Sequence, residues 1–236
     1  MTSRILILTT SHGTLGETGK PTGFHWQELT DPYWAFRDAG DTVEIASVHG
    51  GQPPADPGSD DGEGERPRSV QRFMDDESAM RALTHSLPVS ELKPRSYDAV
   101  YLPGGHGTMW DLPDSKAVAG LIGKAWEAGA IIAAVCHGPA GLVGATLADG
   151  TPLVKGRRVN SFTDAEERKA GLDEVVPFLL ESRLRELGAV FEGNDEAFGP
   201  HVARDGRLIT GQNPASSKPL ADQVLAALKN RQSEPA

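Results

Sequence analysis

The sequence predicts an α/β fold, a mostly parallel sheet sandwiched by helices. Two observations carry it. Short apolar runs rich in β-branched residues recur along the chain and end on turns containing glycine, proline or histidine. Helical segments separate them, so successive strands need crossover connections. Such crossovers are right-handed and cover both faces of a parallel sheet.

The elements follow in order. Ile5-Leu6-Ile7-Leu8-Thr9 reads as a buried first strand closed by Ser11-His12-Gly13. A helix follows from Trp26 to Ala39, and Val43-Glu44-Ile45-Ala46-Ser47 forms a second strand. From His49 to Arg68 the chain is dense in Gly, Pro, Asp and Glu, a solvated insertion and not a second core. Ser69 to Ser86 is predicted helical, and Ala99-Val100-Tyr101-Leu102 is a third strand broken by Pro103-Gly104-Gly105-His106-Gly107. A helix over 115–128 leads to the apolar strand Ala130 to Val135, and Gly138 opens the next helix. Further on lie a strand at Arg158-Val159-Asn160-Ser161, a helical region from Ala165 to Leu187, and Gly188-Ala189-Val190-Phe191. Val202 to Thr210 reads as a hairpin turned at Asp205-Gly206, and a helix from Ser216 to Lys229 closes the fold. No internal repeat interrupts this pattern, which predicts one domain over residues 1–236 with a polar insertion at about 49–68.

Composition narrows the function classes. Of 236 residues, 38% are hydrophobic and 24% charged, ordinary for a soluble globular chain. Lys and Arg total 23 against 33 Asp and Glu, a net charge of −10, which disfavours nucleic acid and anionic membranes as partners. No apolar run is long enough to span a membrane, and the first residues lack a signal-peptide pattern. The single cysteine forms no internal disulfide and fits a reducing, cytoplasmic setting.

That cysteine lies in the most informative segment, Ala133-Ala134-Val135-Cys136-His137-Gly138-Pro139-Ala140. A buried strand runs straight into a turn and a helix, which presents one side chain at the carboxyl edge of the sheet, where ligands bind in open α/β folds. A thiol at a helix N-terminus is expected to have a lowered pKa, and His137 beside it is a natural proton carrier. Leu102-Pro103-Gly104-Gly105-His106-Gly107 ends another strand, and its paired glycines free backbone N–H groups for an oxyanion. His12, His25 and His106 match no compact metal-ligand spacing, so no metal is expected. Trp26, Trp34 and Trp110 flank these segments, with core packing expected for at least two. The run Asp60-Asp61-Gly62-Glu63-Gly64-Glu65 reads as a solvated loop; it lacks the terminal glutamate of a calcium loop.

The cysteine and glycine turns together resemble the ThiJ/PfpI superfamily, which has the flavodoxin-like, class I glutamine amidotransferase-like fold. The resemblance extends over nearly the whole chain. It takes in Thr22-Gly23 through Glu28 and Pro32, Asn160-Ser161-Phe162-Thr163-Asp164-Ala165-Glu166-Glu167, and Asp205 through Pro214. With the polar insertion, these segments are similar to the branch containing glyoxalase III and heat-shock chaperones.

The resemblance implies roles residue by residue. Cys136 corresponds to the nucleophile, and Glu28 to the acid that sits against its thiol. His137 corresponds to the catalytic histidine. An acid among Asp164, Glu166 and Glu167 corresponds to its orienting partner, with Glu167 chosen by position. Backbone N–H groups of Gly105 and His137, flanked by Gly104 and His106, correspond to the oxyanion and substrate-binding site. True amidotransferase domains carry a late His-x-Glu pair that is absent here, which points away from glutamine amide transfer. The implied activity is a cofactor-independent glyoxalase of D-lactate dehydratase type, acting on methylglyoxal and related 2-oxoaldehydes. Alternatives are a stress chaperone that holds unfolded clients, or a cysteine hydrolase (deglycase, amidase or peptidase) acting on glycated protein, amide or peptide. The resemblance also implies a homodimer.

Overall fold

The computed structural model describes residues 2–60, 65–194 and 196–233. The acidic run at 60–65 therefore lies largely outside the described residues. The strands are β1 (Arg4–Thr9), β2 (Thr42–Ser47), β3 (Leu87–Pro88), β4 (Ala99–Leu102), β5 (Ile131–Val135), β6 (Arg158–Val159), β7 (Val190–Phe191), β8 (Val202–Asp205) and β9 (Leu208–Gly211). A seven-stranded sheet has the order β3-β2-β1-β4-β5-β9-β8. Every neighbouring pair in it is parallel except β8 with β9, the predicted hairpin. β6 and β7 form a small parallel pair of their own.

Strand periodicity explains how this sheet is covered. Alternate side chains of a strand point to opposite faces. Leu6, Leu8, Val100, Leu102, Ile132 and Ala134 enter one core, while Ile5, Ile7, Ala99, Tyr101, Ile131 and Ala133 enter the other. The continuous apolar runs seen in the sequence follow directly, because a parallel strand is buried on both faces. Helix α5 (Lys116–Glu127) covers the first face with Val118, Leu121, Ile122 and Ala125. On the second, α1 (Trp26–Asp38) buries Leu29, Tyr33 and Phe36, and α8 (Ser217–Ser233) buries Leu220, Ala221 and Val224. Trp26 and Trp34 pack around Phe73, with ring centroids 6.2 and 6.3 Å away, so two of the three tryptophans serve the core. Trp110 stacks on His12 instead. Among the described residues no helix is long and apolar enough to cross a membrane.

The chain leaves β1 for β2 on one side and later returns to place β4 on the other. The crevice at the carboxyl ends of strands flanking such a reversal is where open α/β sheets bind ligands.

Three predicted helices take a different form. The segment 69–86 is two helices, α2 (Arg68–Asp75) and α3 (Glu77–Thr84). Asp76 between them is extended (φ −94°, ψ 107°), and its carboxylate accepts the Ala79 N–H at 2.9 Å as an N-cap. The region 165–187 likewise divides into α6 (Asp164–Ala170) and α7 (Leu180–Glu186), because Gly171 ends α6 in the left-handed conformation. After β5 the chain forms a five-residue 3₁₀ turn, Gly138–Leu142, and not an α-helix. A short helix that the sequence pattern does not announce, α4 (Thr108–Asp111), follows the glycine turn.

The Asp76 cap gives a test of this local reading. Asp76→Ala is expected to cost about 1 kcal/mol, seen as a lower urea midpoint with an unchanged slope. An unchanged midpoint would mean that the two helices are not separated by the cap.

Candidate active site

Cys136 follows β5 directly, with φ of 58°, a left-handed conformation that L side chains adopt at a cost. Two bonds from the fold hold it there. The Cys136 N–H donates to the Gly211 carbonyl at the end of β9 (2.9 Å), and the Phe162 N–H donates to the Cys136 carbonyl (2.8 Å). The resulting turn leaves the residue 4% exposed, at the wall of a cavity of about 400 Å³ that His25, Gly105, His106 and His137 also line.

The glycine turn after β4 lies against the cysteine turn. Gly104 donates its N–H to Glu28 Oε2 at 2.7 Å. A Cβ on Gly104 would meet that oxygen at 2.7 Å and the His137 nitrogen at 2.6 Å, so only glycine lets the three segments approach. Gly105 has φ of 102°, again a glycine conformation. Thr108 Oγ1 sits between the Gly105 carbonyl (2.8 Å) and the His137 carbonyl (3.0 Å) and ties the two turns together.

Glu28, in the first turn of α1, is fully buried. Burial raises its carboxyl to about 8, because desolvation outweighs the Gly104 N–H and the nearby Cys136 thiol, both of which favour the charged form. Glu28 is thus predominantly protonated at neutral pH. The thiol does not behave as the sequence suggests. Burial pushes Cys136 well above the ordinary thiol range, the Glu28 carboxyl adds to this, and the His137 backbone N–H offsets only part of it. The expected helix dipole is missing because the following turn is a short 3₁₀ segment.

His137 Nδ1 lies 3.3 Å from the Cys136 sulfur, and Nε2 is 2.7 Å from Glu167 Oε2. His106 Nε2 meets the other Glu167 oxygen at 2.8 Å. Burial alone would raise Glu167, but the two imidazoles outweigh it and hold the carboxyl down at about 2. An ionised carboxylate only accepts, so both Nε2 atoms carry hydrogen and His137 Nδ1 presents a lone pair to the thiol. Burial and the neighbouring His106 lower the His137 pKa, which keeps the ring neutral.

The structure thus brings together Cys136, His137, Glu28, Glu167, Gly104, Gly105 and His106. Of the three competing acids, Glu167 alone reaches His137. Asp164 instead accepts from Ser182 Oγ at 2.6 Å, and Glu166 accepts from Thr163 and other buried donors. Thr108, Phe162 and Phe198 also belong to the site and were not found from sequence; only the glycine turn and the 160–167 stretch pointed near the first two. His106, His137 and Glu167 bring ligand atoms within 4.8 Å of one another, a donor set a zinc-class ion accepts. Those same atoms are here bonded to each other. His12 lies outside this group, bonded to the Thr14 carbonyl.

A model of the DJ-1/PfpI family matches residues 21–227. The chain belongs to the DJ-1/PfpI family. Glyoxalase 3 of Candida albicans is 29% identical over 97% of this chain and 99% of its own length. Glutathione-independent glyoxalase HSP31 of Saccharomyces cerevisiae is 29% identical over 96% and 98%. The crystal structure of glyoxalase III from Candida albicans superposes with a TM-score of 0.88, at 28% identity, covering 95% of this chain and 97% of that one. The family fold therefore extends over almost all of the chain, including the flavodoxin-like parallel sheet.

The raised Glu28 carboxyl makes a stability prediction. Its folded-state pKa of about 8 exceeds that of the unfolded chain, so its contribution is complete at acid pH and is lost as pH rises toward 8. Glu28→Gln is expected to gain on the wild type between pH 5 and 8, on the order of 1.4 kcal/mol per pH unit at most. Urea midpoints of the two proteins across that range measure it. Parallel curves would show that Glu28 ionises freely.

Proposed function

We propose that the protein is a cysteine-dependent, glutathione-independent glyoxalase that converts methylglyoxal and related 2-oxoaldehydes to 2-hydroxy acids, giving D-lactate from methylglyoxal. The observation that carries this reading is a second proton carrier beside the sulfur. Acyl transfer by a cysteine hydrolase needs one base, the imidazole at the thiol. Conversion of a 2-oxoaldehyde needs another, which moves a proton from one carbon to the next. Glu28, buried and titrating at about 8, has the pKa of a group that both takes and returns a proton near neutrality. The names of the relatives and their full-length coverage agree with it.

The proposed sequence balances within the site and draws only on water. Cys136 sulfur bonds to the aldehyde carbon as His137 Nδ1 takes the thiol proton. That proton then neutralises the new alkoxide, which backbone N–H groups of Gly105 and His137 stabilise while it is charged. Glu28, in its carboxylate form, removes the hydrogen from the former aldehyde carbon as a proton, and the electron pair enters an enediolate. His137 carries the hydroxyl proton from the first oxygen to the second, and Glu28 returns its own proton to the neighbouring carbon. The first carbon is now a thioester, oxidised, and the second an alcohol, reduced. Water, deprotonated by His137, cleaves the thioester, and the thiol recovers its proton. The nucleophile in this scheme is generated by His137 as the substrate binds, which fits a thiol whose own pKa is high. No nicotinamide, glutathione or metal enters the scheme.

Methylglyoxal loss and D-lactate appearance test it. Cys136→Ala is expected to fall to background and Glu28→Gln to lose roughly 10²–10⁴-fold in kcat. For the wild type, kcat/KM should rise with pH and level off above about 8 as Glu28 ionises. Equal turnover by all three proteins would remove the proposal.

A further inference from the structure

Phe198 departs from what its surroundings would ordinarily allow. Among the described residues it is, with Cys136, one of two non-glycine positions at positive φ (66°). It is also a large apolar side chain left 48% exposed. Strained backbone persists where the surroundings over-determine it, and it clusters at ligand clamps. The surroundings here centre on Glu166.

The Glu166 carboxylate is fully buried and held by neutral donors. Its Oε1 accepts the Phe198 N–H (2.7 Å), Asn213 Nδ2 (2.9 Å) and Gln212 Nε2 (3.0 Å). Oε2 accepts the N–H (2.8 Å) and hydroxyl (3.0 Å) of Thr163. Asn213 Nδ2 also reaches the Gly199 carbonyl (2.7 Å), and Gln212 Oε1 takes the Asn194 N–H (2.8 Å). The residues just after β9 therefore fasten this loop on both sides of Phe198.

The side chain so held lines the same cavity as Cys136. Its ring lies 6.0 Å from Phe162, whose ring is 4.6 Å from that of His137. Leu15, Leu172 and Pro214 extend this apolar lining. At about 400 Å³ the cavity is in the range, roughly 300–1,000 Å³, that encloses drug-sized ligands. Methylglyoxal has a handful of heavy atoms and a single methyl group, and cannot engage such a wall.

We propose that Phe198 is a specificity-determining residue and that the site prefers 2-oxoaldehydes bearing an aromatic or bulky apolar substituent, with Glu166 as the positioning residue that holds Phe198 over the cavity. The substrate class rests on the glyoxalase reading; the aromatic wall itself does not. Aromatic pairs gain beyond simple area burial, and one apolar group in a pocket discriminates by about ten-fold or more.

The experiment compares phenylglyoxal with methylglyoxal in wild type and Phe198→Ala. The wild type is expected to have the higher kcat/KM for phenylglyoxal. Phe198→Ala should raise KM for phenylglyoxal about ten-fold and lower the phenylglyoxal-to-methylglyoxal ratio of kcat/KM by a similar factor. Glu166→Gln should lower the same selectivity, and the double variant should lose no more than Phe198→Ala alone, since both act through one ring. A second arm needs no turnover: the rate of Cys136 alkylation by N-benzyliodoacetamide relative to iodoacetamide, read by mass. Its ratio should fall in Phe198→Ala. If the wild type turns over neither aldehyde but this ratio still depends on Phe198, the glyoxalase reading fails and the aromatic wall stands. If neither the kinetic selectivity nor the alkylation ratio responds to Phe198→Ala, the inference is overturned.

Discussion

The left-handed backbone of Cys136 is the constraint on which the site depends. A residue with a Cβ enters that region at a cost of about 1–2 kcal/mol, and here the sheet supplies the restraint. β5 lies between β4 and β9, so the residue that follows it, Cys136, is bonded laterally to Gly211 before the chain can turn away. Phe162 closes the same residue from the carbonyl side. With the sulfur fixed by backbone, the other groups are placed relative to it by separate elements: Glu28 from the first turn of α1, the glycines from the end of β4, Glu167 from the first turn of α6. None of these elements is adjacent to another in sequence. Their convergence follows from the reversal of strand order around β1, which leaves a crevice that each connection must border.

Two buried carboxyls in this crevice have been driven in opposite directions. Glu28 and Glu167 are both desolvated, which by itself raises each. Glu28 receives one backbone N–H and faces a neutral thiol, so desolvation wins and it titrates at about 8. Glu167 receives hydrogen bonds from two imidazoles and remains at about 2. Divergence of this kind is how paired carboxyls take different chemical parts at one pH. A permanently ionised Glu167 fixes the His137 tautomer, and a protonatable Glu28 is free to carry hydrogen. Exchanging their environments would destroy both functions without changing a residue of the pair.

How far the sequence reveals this follows from the range of each interaction. The central strands β1, β4 and β5 are legible because burial on both faces writes itself as continuous apolar runs, and the cysteine and glycine turns because turn chemistry is local; the two-residue edge strand β3 leaves no such run and is not predicted. Glu28 and Glu167 came through the family resemblance alone. Glu28 bonds to Gly104 across a separation of 76 positions, and nothing in its local pattern distinguishes it from a helix-face acid. The rotation of α6 was likewise hidden: Asp164, Glu166 and Glu167 fall within one turn, and at 3.6 residues per turn each faces a different neighbour. The thiol was misjudged for the same reason. A helix dipole is inferred from adjacent residues, whereas burial of the thiol and its contact with the Glu28 carboxyl are tertiary properties. Phe198 lies in a loop with no periodicity, and its importance appears only as a backbone angle.

The adjacency of Glu166 and Glu167 has a mechanical consequence. Thr163 and Glu166 form a capping box, with the threonine hydroxyl accepting the Glu166 N–H while the glutamate side chain returns to the Thr163 N–H. This fixes the start of α6 and with it the direction of the next side chain, Glu167, toward the imidazoles. The same Glu166 carboxylate holds the Phe198 loop. Orientation of His137 and closure of the apolar wall are therefore set from one helix terminus. Both are held by hydrogen bonds to one buried side chain, which are costly to leave unmade, and not by packing that can slide.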